Sequence, residues 1–199
     1  MIAEAIRRSP LAGYSDRFAS LSQLSGGRLT LREIPFLTQV NLRADPTDSP
    51  TMKSIAEMLD LELPLRPNTV ASTANRSALW LGPDEWLLVA PADQAVTPPA
   101  FAKMLGGSIS LVDVSANRTV IRLEGTAAHE LLAFGCAVDL HPRSFGPGRC
   151  IQTMLAKAQV LIESMPTVET FQLYVRASFA TYLAEWLIDA MPGLNLPAR

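Results

Sequence analysis

Cysteine and histidine each occur only twice in 199 residues, as Cys136, Cys150, His129 and His141. Two thiols cannot build a disulfide framework, so the expectation is a cytoplasmic protein with reduced cysteines. Charge is also scarce: Asp, Glu, Lys and Arg make up 18%, where about 25% is usual. The 17 basic residues are outnumbered by 19 acidic ones, for a net charge of −2. The basic field that a phosphate backbone demands is missing, which argues against a nucleic-acid partner. No run approaches the ~18 consecutive apolar residues of a membrane span. Residues 1–14 lack the continuous apolar core of a secretory signal, so Asn75-Arg76-Ser77 and Asn117-Arg118-Thr119 carry no glycosylation meaning.

The familiar catalytic loops are missing too. There is no G-x-G-x-x-G after a strand, no G-x-x-x-x-G-K-[ST] and no G-x-S-x-G elbow. His129-Glu130 opens like a zinc-protease helix, but Ala133 stands where the second histidine is needed. What the chain has instead is apolar surface: 48% hydrophobic residues and a mean hydropathy of +0.18. A chain of this size buries roughly 70% of its unfolded surface. With so little charge left to solvate the remainder, part of the outside is expected to be covered by a neighbouring subunit.

Periodicity predicts an α+β fold with antiparallel sheets, in two subdomains. Residues 1–27, rich in Ser, Gly and Ala, read as a flexible N-terminal arm; 28–107 form a first α+β subdomain and 108–199 a second. Arg28–Ile34 and Phe36–Leu42 alternate as strands, with Phe36, Thr38, Val40 and Leu42 on one face, and Pro35 marks a bulge or edge. Asp48-Ser49-Pro50 starts a helix, capped by the aspartate and pre-set by the proline. Pro83-Asp84 suits the middle of a type I turn. Closed directly, that hairpin pairs Trp80 with Leu87 and Leu81 with Trp86, so the tryptophans point to opposite faces. Ala78–Leu81 and Trp86–Val89 leave no polar face, so both sides need cover. Thr97 caps a short helix to Leu105. Strands follow at Ile109–Val114 and Thr119–Leu123, then a helix from Thr126 to Phe134. Three more strands lie near Ile151–Leu155, Gln159–Glu163 and Phe171–Val175. A closing helix from Ser178 buries Phe179, Tyr182, Leu183, Trp186 and Leu187.

Candidate chemical residues are few. His129, Cys136, His141 and Cys150 are the only His and Cys, but their spacing matches no compact zinc knuckle and ordinary packing explains them. Neither cysteine has an obvious His or Lys partner that would hold it as thiolate. Asp84 and Glu85 read as turn residues, and Glu185 and Asp189 as the exposed side of the last helix. Asp113 and Asp139, beside apolar runs, are expected to be buried or to face a partner. Arg143 and Arg149 flank a Gly/Pro loop and could pair with an anion or a partner's carboxylate. Trp80 and Trp86 are interface or core anchors. No residue set supplies catalysis, cofactor binding or a metal site; Trp80, Trp86, Arg143 and Arg149 are the candidate partner interface.

Several stretches, in order and spanning most of residues 28–190, resemble the gamma subunit of heterotetrameric sarcosine oxidase. They are Leu31-Arg-Glu-Ile-Pro-Phe-Leu-Thr-Gln-Val-Asn-Leu-Arg43, Leu79-Trp-Leu-Gly-Pro-Asp-Glu-Trp-Leu-Leu88 and Asp113-Val-Ser-Ala-Asn-Arg-Thr119. Gly135-Cys-Ala-Val-Asp-Leu-His-Pro-Arg-Ser-Phe145 and Phe171-Gln-Leu-Tyr-Val-Arg-Ala-Ser-Phe-Ala180 complete the set. The resemblance implies a fold like the folate-binding aminomethyltransferases (glycine-cleavage T-protein). It implies a cytoplasmic complex that demethylates sarcosine to glycine, makes hydrogen peroxide and passes the one-carbon unit to tetrahydrofolate. FAD, FMN, NAD and the folate site then belong to the alpha and beta subunits, zinc to delta, and none of them to this chain. Alpha is the expected direct partner. The alternative is a stand-alone folate-binding one-carbon transfer protein. An iron–sulfur assembly role is disfavoured, because Gly148-Arg-Cys-Ile-Gln152 lacks the lysine and the G-Q-E of that signature.

Overall fold

The computed structural model describes residues 7–92, 109–167 and 169–194. The short helix expected over 97–105 lies outside them. In chain order the elements are α1 (Ser15–Leu24), β1 (Thr30–Ile34), β2 (Thr38–Arg43), α2 (Ser49–Leu59), β3 (Val70–Ser72), β4 (Ser77–Gly82) and β5 (Glu85–Ala90). Then come β6 (Ser110–Asp113), β7 (Arg118–Glu124), α3 (Ala128–Ala133), β8 (Arg149–Leu155), β9 (Ala158–Ser164), β10 (Thr170–Arg176) and α4 (Ala177–Ala190). The strands form two five-stranded sheets, ordered β1-β7-β10-β9-β8 and β3-β4-β5-β2-β6. Every pairing is antiparallel.

Strand alternation stacks these sheets into layers. In β10, Phe171, Leu173 and Val175 face a core shared with α1, α3 and α4, while Tyr174 faces the other way. Tyr174, Val120, Leu161 and Cys150 meet Leu79, Leu87 and Val89 of the second sheet. The opposite face of that sheet carries Val40, Leu42, Trp86 and Leu88, which pack on Ile55 and Leu59 of α2. Helix α2 starts as the sequence indicates: Asp48 accepts from the Thr51 N–H, with proline in the first turn. Pro35 lies in a turn with Phe36 at φ 61°, and the chain crosses there from the first sheet to the second.

Four expectations are corrected. Residues 1–27 are not an arm throughout, because Leu11, Phe18 and Leu21 are buried in the core and Glu185 of α4 accepts from Tyr14 and Arg17. The two halves also exchange strands: β1 joins the later strands, and β6 joins the earlier ones. A boundary at 107/108 therefore cuts both sheets. The third concerns α4, whose buried stripe is Ala180, Leu183, Ala184 and Leu187, while Phe179 is 44% exposed and Tyr182 and Trp186 are half-buried. Small alanines let the helix lie close to the sheet, which rotates the large aromatics to the flanks. Finally, α3 begins after Ala127, which makes no side-chain cap, so Thr126 does not start it.

Candidate functional site

Three strands of the first sheet place polar side chains in one row. Gln172 on β10 stands opposite Arg122 on β7 and opposite Glu163 on β9. Cys150 on β8 extends the row beyond Glu163. Period-two alternation turns these residues toward the second sheet, the same side as Tyr174. Arg122, Glu163, Gln172 and Tyr174 border a cavity of about 220 Å³ between the sheets, which Asn75 and Arg76 also line.

Burial sets the chemistry here. Glu163 is 3% exposed, and desolvation pushes its carboxyl up to about 7 against the opposing pull of Tyr174 and Arg122. The Tyr174 hydroxyl lies 2.6 Å from Glu163 Oε2 and 3.1 Å from Gln172 Oε1. One hydroxyl proton cannot serve two acceptors. With Glu163 ionised, the tyrosine donates to its carboxylate; once Glu163 is protonated, its O–H donates to the tyrosine oxygen and the tyrosine turns its own proton to Gln172. Beside it, burial and the Glu163 charge push the Cys150 thiol up to about 12, and the thiol donates toward the carbonyls of Thr69 and Trp80. Arg122 Nε is buried without a hydrogen-bond partner. The row can hold one shared proton; it offers no thiolate. Sequence inspection passed over it, although Gln172 and Glu163 stand out as polar residues at core-facing positions of apolar strands.

The candidate residues from the sequence do not share one place. Trp80 and Trp86 are cross-strand partners on the same face, not on opposite faces. The pairing slips by one residue between Trp80 and Gly82. A type I turn twists against its flanking strands, and a bulge absorbs the mismatch. Trp86 is 0% exposed and donates through Nε1 to the Pro64 carbonyl at 2.8 Å, so it is core and not surface. Trp80 is half-buried, and its N–H donates to Thr69, whose neighbour across the sheet-to-sheet seam is Arg149. Arg143 is exposed on the 141–148 loop.

The remaining candidates scatter. Cys136 and Cys150 are buried on opposite faces of the first sheet. His129 packs edge-on against Phe171, burial lowers its pKa, and His141 is exposed. Asp113 and Asp139 are exposed, which removes the buried alternative and leaves the partner-facing one. Each closes a local turn, Asp113 accepting from Ser115 N–H and Asp139 from His141 N–H and the Ser144 hydroxyl; those bonds lower both carboxyls. No group of three or more His, Cys, Asp and Glu among the described residues is placed to hold a metal. Nor is any described helix long and apolar enough to cross a membrane.

Two stacked antiparallel sheets with helices outside define the aminomethyltransferase class of fold. The glycine cleavage system aminomethyltransferase T of Bartonella henselae superposes with a TM-score of 0.65 at 14% identity, covering 92% of this chain and 57% of that one. The model of the sarcosine oxidase gamma subunit family matches residues 43–192, and the chain belongs to that family. It is 39% identical over 194 residues to the sarcosine oxidase subunit gamma of an Arthrobacter species, covering 97% of this chain and 94% of the relative. The counterpart from Corynebacterium sp. strain P-1 is 38% identical, with 94% and 91% covered. The heterotetrameric sarcosine oxidase of Corynebacterium sp. U-96, solved with pyrrole 2-carboxylate, contains a chain that superposes with a TM-score of 0.85 at 37% identity. That match covers 98% of this chain and 100% of the other. The chain is thus a gamma subunit of an oxidoreductase complex.

Proposed function

We propose that this chain contributes no reacting group to sarcosine oxidation and acts as a cytoplasmic structural subunit packed chiefly against alpha, with beta and delta completing the tetramer. FAD, FMN, NAD and tetrahydrofolate work in the other subunits. The observation that carries this reading is that the buried acid, phenol and thiol between the sheets are committed to partners inside the chain. A thiol near 12 supplies no nucleophile at neutral pH, and the Glu163 carboxyl, though it titrates near 7, is 3% exposed and bonded to Tyr174. Half-buried Trp80 and Arg149 both flank the Thr69 backbone, and with exposed Arg143 they form the proposed contact face. An aromatic and arginines are the side chains that anchor interfaces best.

The test is cross-linking mass spectrometry on the complex purified through a tag on this chain, with an oxidase assay on the chain alone. Cross-links mainly to alpha and no sarcosine-dependent peroxide from the isolated chain are expected. Peroxide production by the chain alone, or cross-links confined to beta and delta, would sink the reading.

A further inference from the structure

A second cavity, of about 310 Å³, opens where the segment before α1 crosses the ends of β1 and β7. Three arginines line it, Arg7, Arg8 and Arg118, together with the hydroxyl residues Ser9, Ser115 and Thr119; among the described residues no carboxylate is in its wall. In a chain whose acids outnumber its bases, this is a local excess of positive charge.

Arg118 makes the excess costly. It stands directly opposite Arg176 on the neighbouring strand. Like charges in that position repel. Its side chain is half-buried, and among the described residues its guanidinium forms no ion pair and donates to no carboxylate; its backbone carbonyl accepts from Gln39 Nε2 at 3.1 Å. Arg7 lies over the Phe36 ring, 4.6 Å from the centroid, which holds its charge at the cavity wall. The acids nearby are otherwise occupied or remote. Glu33 accepts from the Ser9 and Thr119 hydroxyls. Asp113, within electrostatic reach of Arg7, is bonded to Ser115, and Glu85 acts on Arg118 only through the longer-range field.

We propose that this cavity is an oxyanion site, which takes the phosphate or carboxylate group of a small molecule on Arg7, Arg8 and Arg118. Guanidinium groups bind both anions through paired N–H bonds, and an anion here neutralises the Arg118–Arg176 repulsion. The site lies on the side of the first sheet's strand ends, apart from Glu163 and its neighbours.

Calorimetric titration of the full chain with sodium phosphate, and separately with sodium acetate, tests it, with NaCl holding the ionic strength fixed. Saturable one-to-one binding of at least one of them is expected, weakened tenfold or more in Arg118→Gln and unchanged in Arg66→Gln, an exposed arginine away from the cavity. Saturation by phosphate alone assigns a phosphate-bearing ligand, and by acetate alone a carboxylate-bearing one. If Arg118→Gln does not fold, the double variant Arg7→Gln/Arg8→Gln carries the same expectation. No saturation by either anion, or binding that survives both sets of substitutions, overturns the proposal.

Discussion

The two sheets have five strands each, yet they are covered unequally. The first lies under α1, α3 and α4, and its central strand β10 is buried at six of seven positions. The outer face of the second packs on α2, and its last strand, β6, has three exposed residues and one half-buried. Trp80, on that same outer face, is half-buried. Cover is thus thinner over β6 and Trp80, although large apolar side chains stay exposed at both ends of the stack, Leu24, Phe134 and Phe179 by the first sheet and Leu65 and Val112 by the second. For a subunit with so few charges, the thinly covered end is where partner cover is expected.

Substituting Trp86, the largest fully buried side chain of the second sheet, gives the largest effect. Trp86→Ala removes the ring that fills the space between β5 and α2, and with it the bond to Pro64. A loss of about 3–5 kcal/mol is expected, read as a fall in denaturant midpoint. A loss below 1 kcal/mol, on the scale of a surface change, would mean that the second sheet has no tight core of its own, and the contrast would become one of stability as well as of cover.

Glu163→Gln probes the seam that both sheets share. Glu163 has its folded pKa raised to about 7 from 4.5, so between those values the folded state holds more protons than the unfolded. Its contribution is present in full below about pH 4.5 and is lost as pH rises toward 7. The shift corresponds to roughly 3 kcal/mol. The amide mimics the protonated acid, so the variant matches wild type near pH 4 and exceeds it at pH 8. Denaturant unfolding across pH 4–8 checks this; parallel curves for the two proteins would show that Glu163 does not titrate in the fold.

On the first sheet's covered face, Gly135 follows α3 at a point where a Cβ would lie 2.6 Å from the Trp186 ring and 3.0 Å from the Ala156 nitrogen. Gly135→Ala is expected to cost about 1–3 kcal/mol as α4 or the β8–β9 turn shifts. A thermal midpoint unchanged within a degree would show that this face is looser than its burial implies.

Much of this was legible in the sequence, for local reasons. Strand alternation from Thr38 to Leu42, the Asp48 cap and the antiparallel runs after Ile151 are fixed by neighbouring residues, and the structure keeps them. What failed depends on distant partners. Phe18 and Leu21 look like isolated apolar residues in a polar segment until α4 is set against them. The strand exchange between halves needs β1 to find β7 some ninety residues later, and no local pattern encodes that. The Trp80–Trp86 register turned on one bulged residue, and a one-residue slip moves a side chain to the other face. The polar row escaped because Arg122 lies some forty to fifty residues before Glu163 and Gln172 and meets them only through register. The arginine cavity was hidden the same way: Arg118 reads as part of an irrelevant Asn-x-Thr match until Arg176 is placed across from it.

The smallest effect on stability is expected at Trp80, and it is the sharpest test of unequal cover. Trp80 and Trp86 share a face and a cross-strand pair, so they differ chiefly in what lies over them. Trp86 is enclosed by this chain; Trp80 is only half enclosed. Trp80→Ala therefore removes less burial within the chain, and a stability loss of about 1–2 kcal/mol is expected, below that of Trp86→Ala. If a partner subunit completes the enclosure, the rest of the side chain's apolar area is buried on assembly, and an anchoring tryptophan there is worth ~2 kcal/mol or more of binding. The folded variant should then lose the other subunits during purification under conditions in which wild type retains them. Arg143→Ala, on an exposed loop, serves as the comparison for a contact held by charge alone, and its deficit should shrink as salt rises while that of Trp80→Ala persists. Should Trp80→Ala melt as early as Trp86→Ala and still assemble normally, the tryptophan pair is core on both sides, and the partner face lies elsewhere on the molecule.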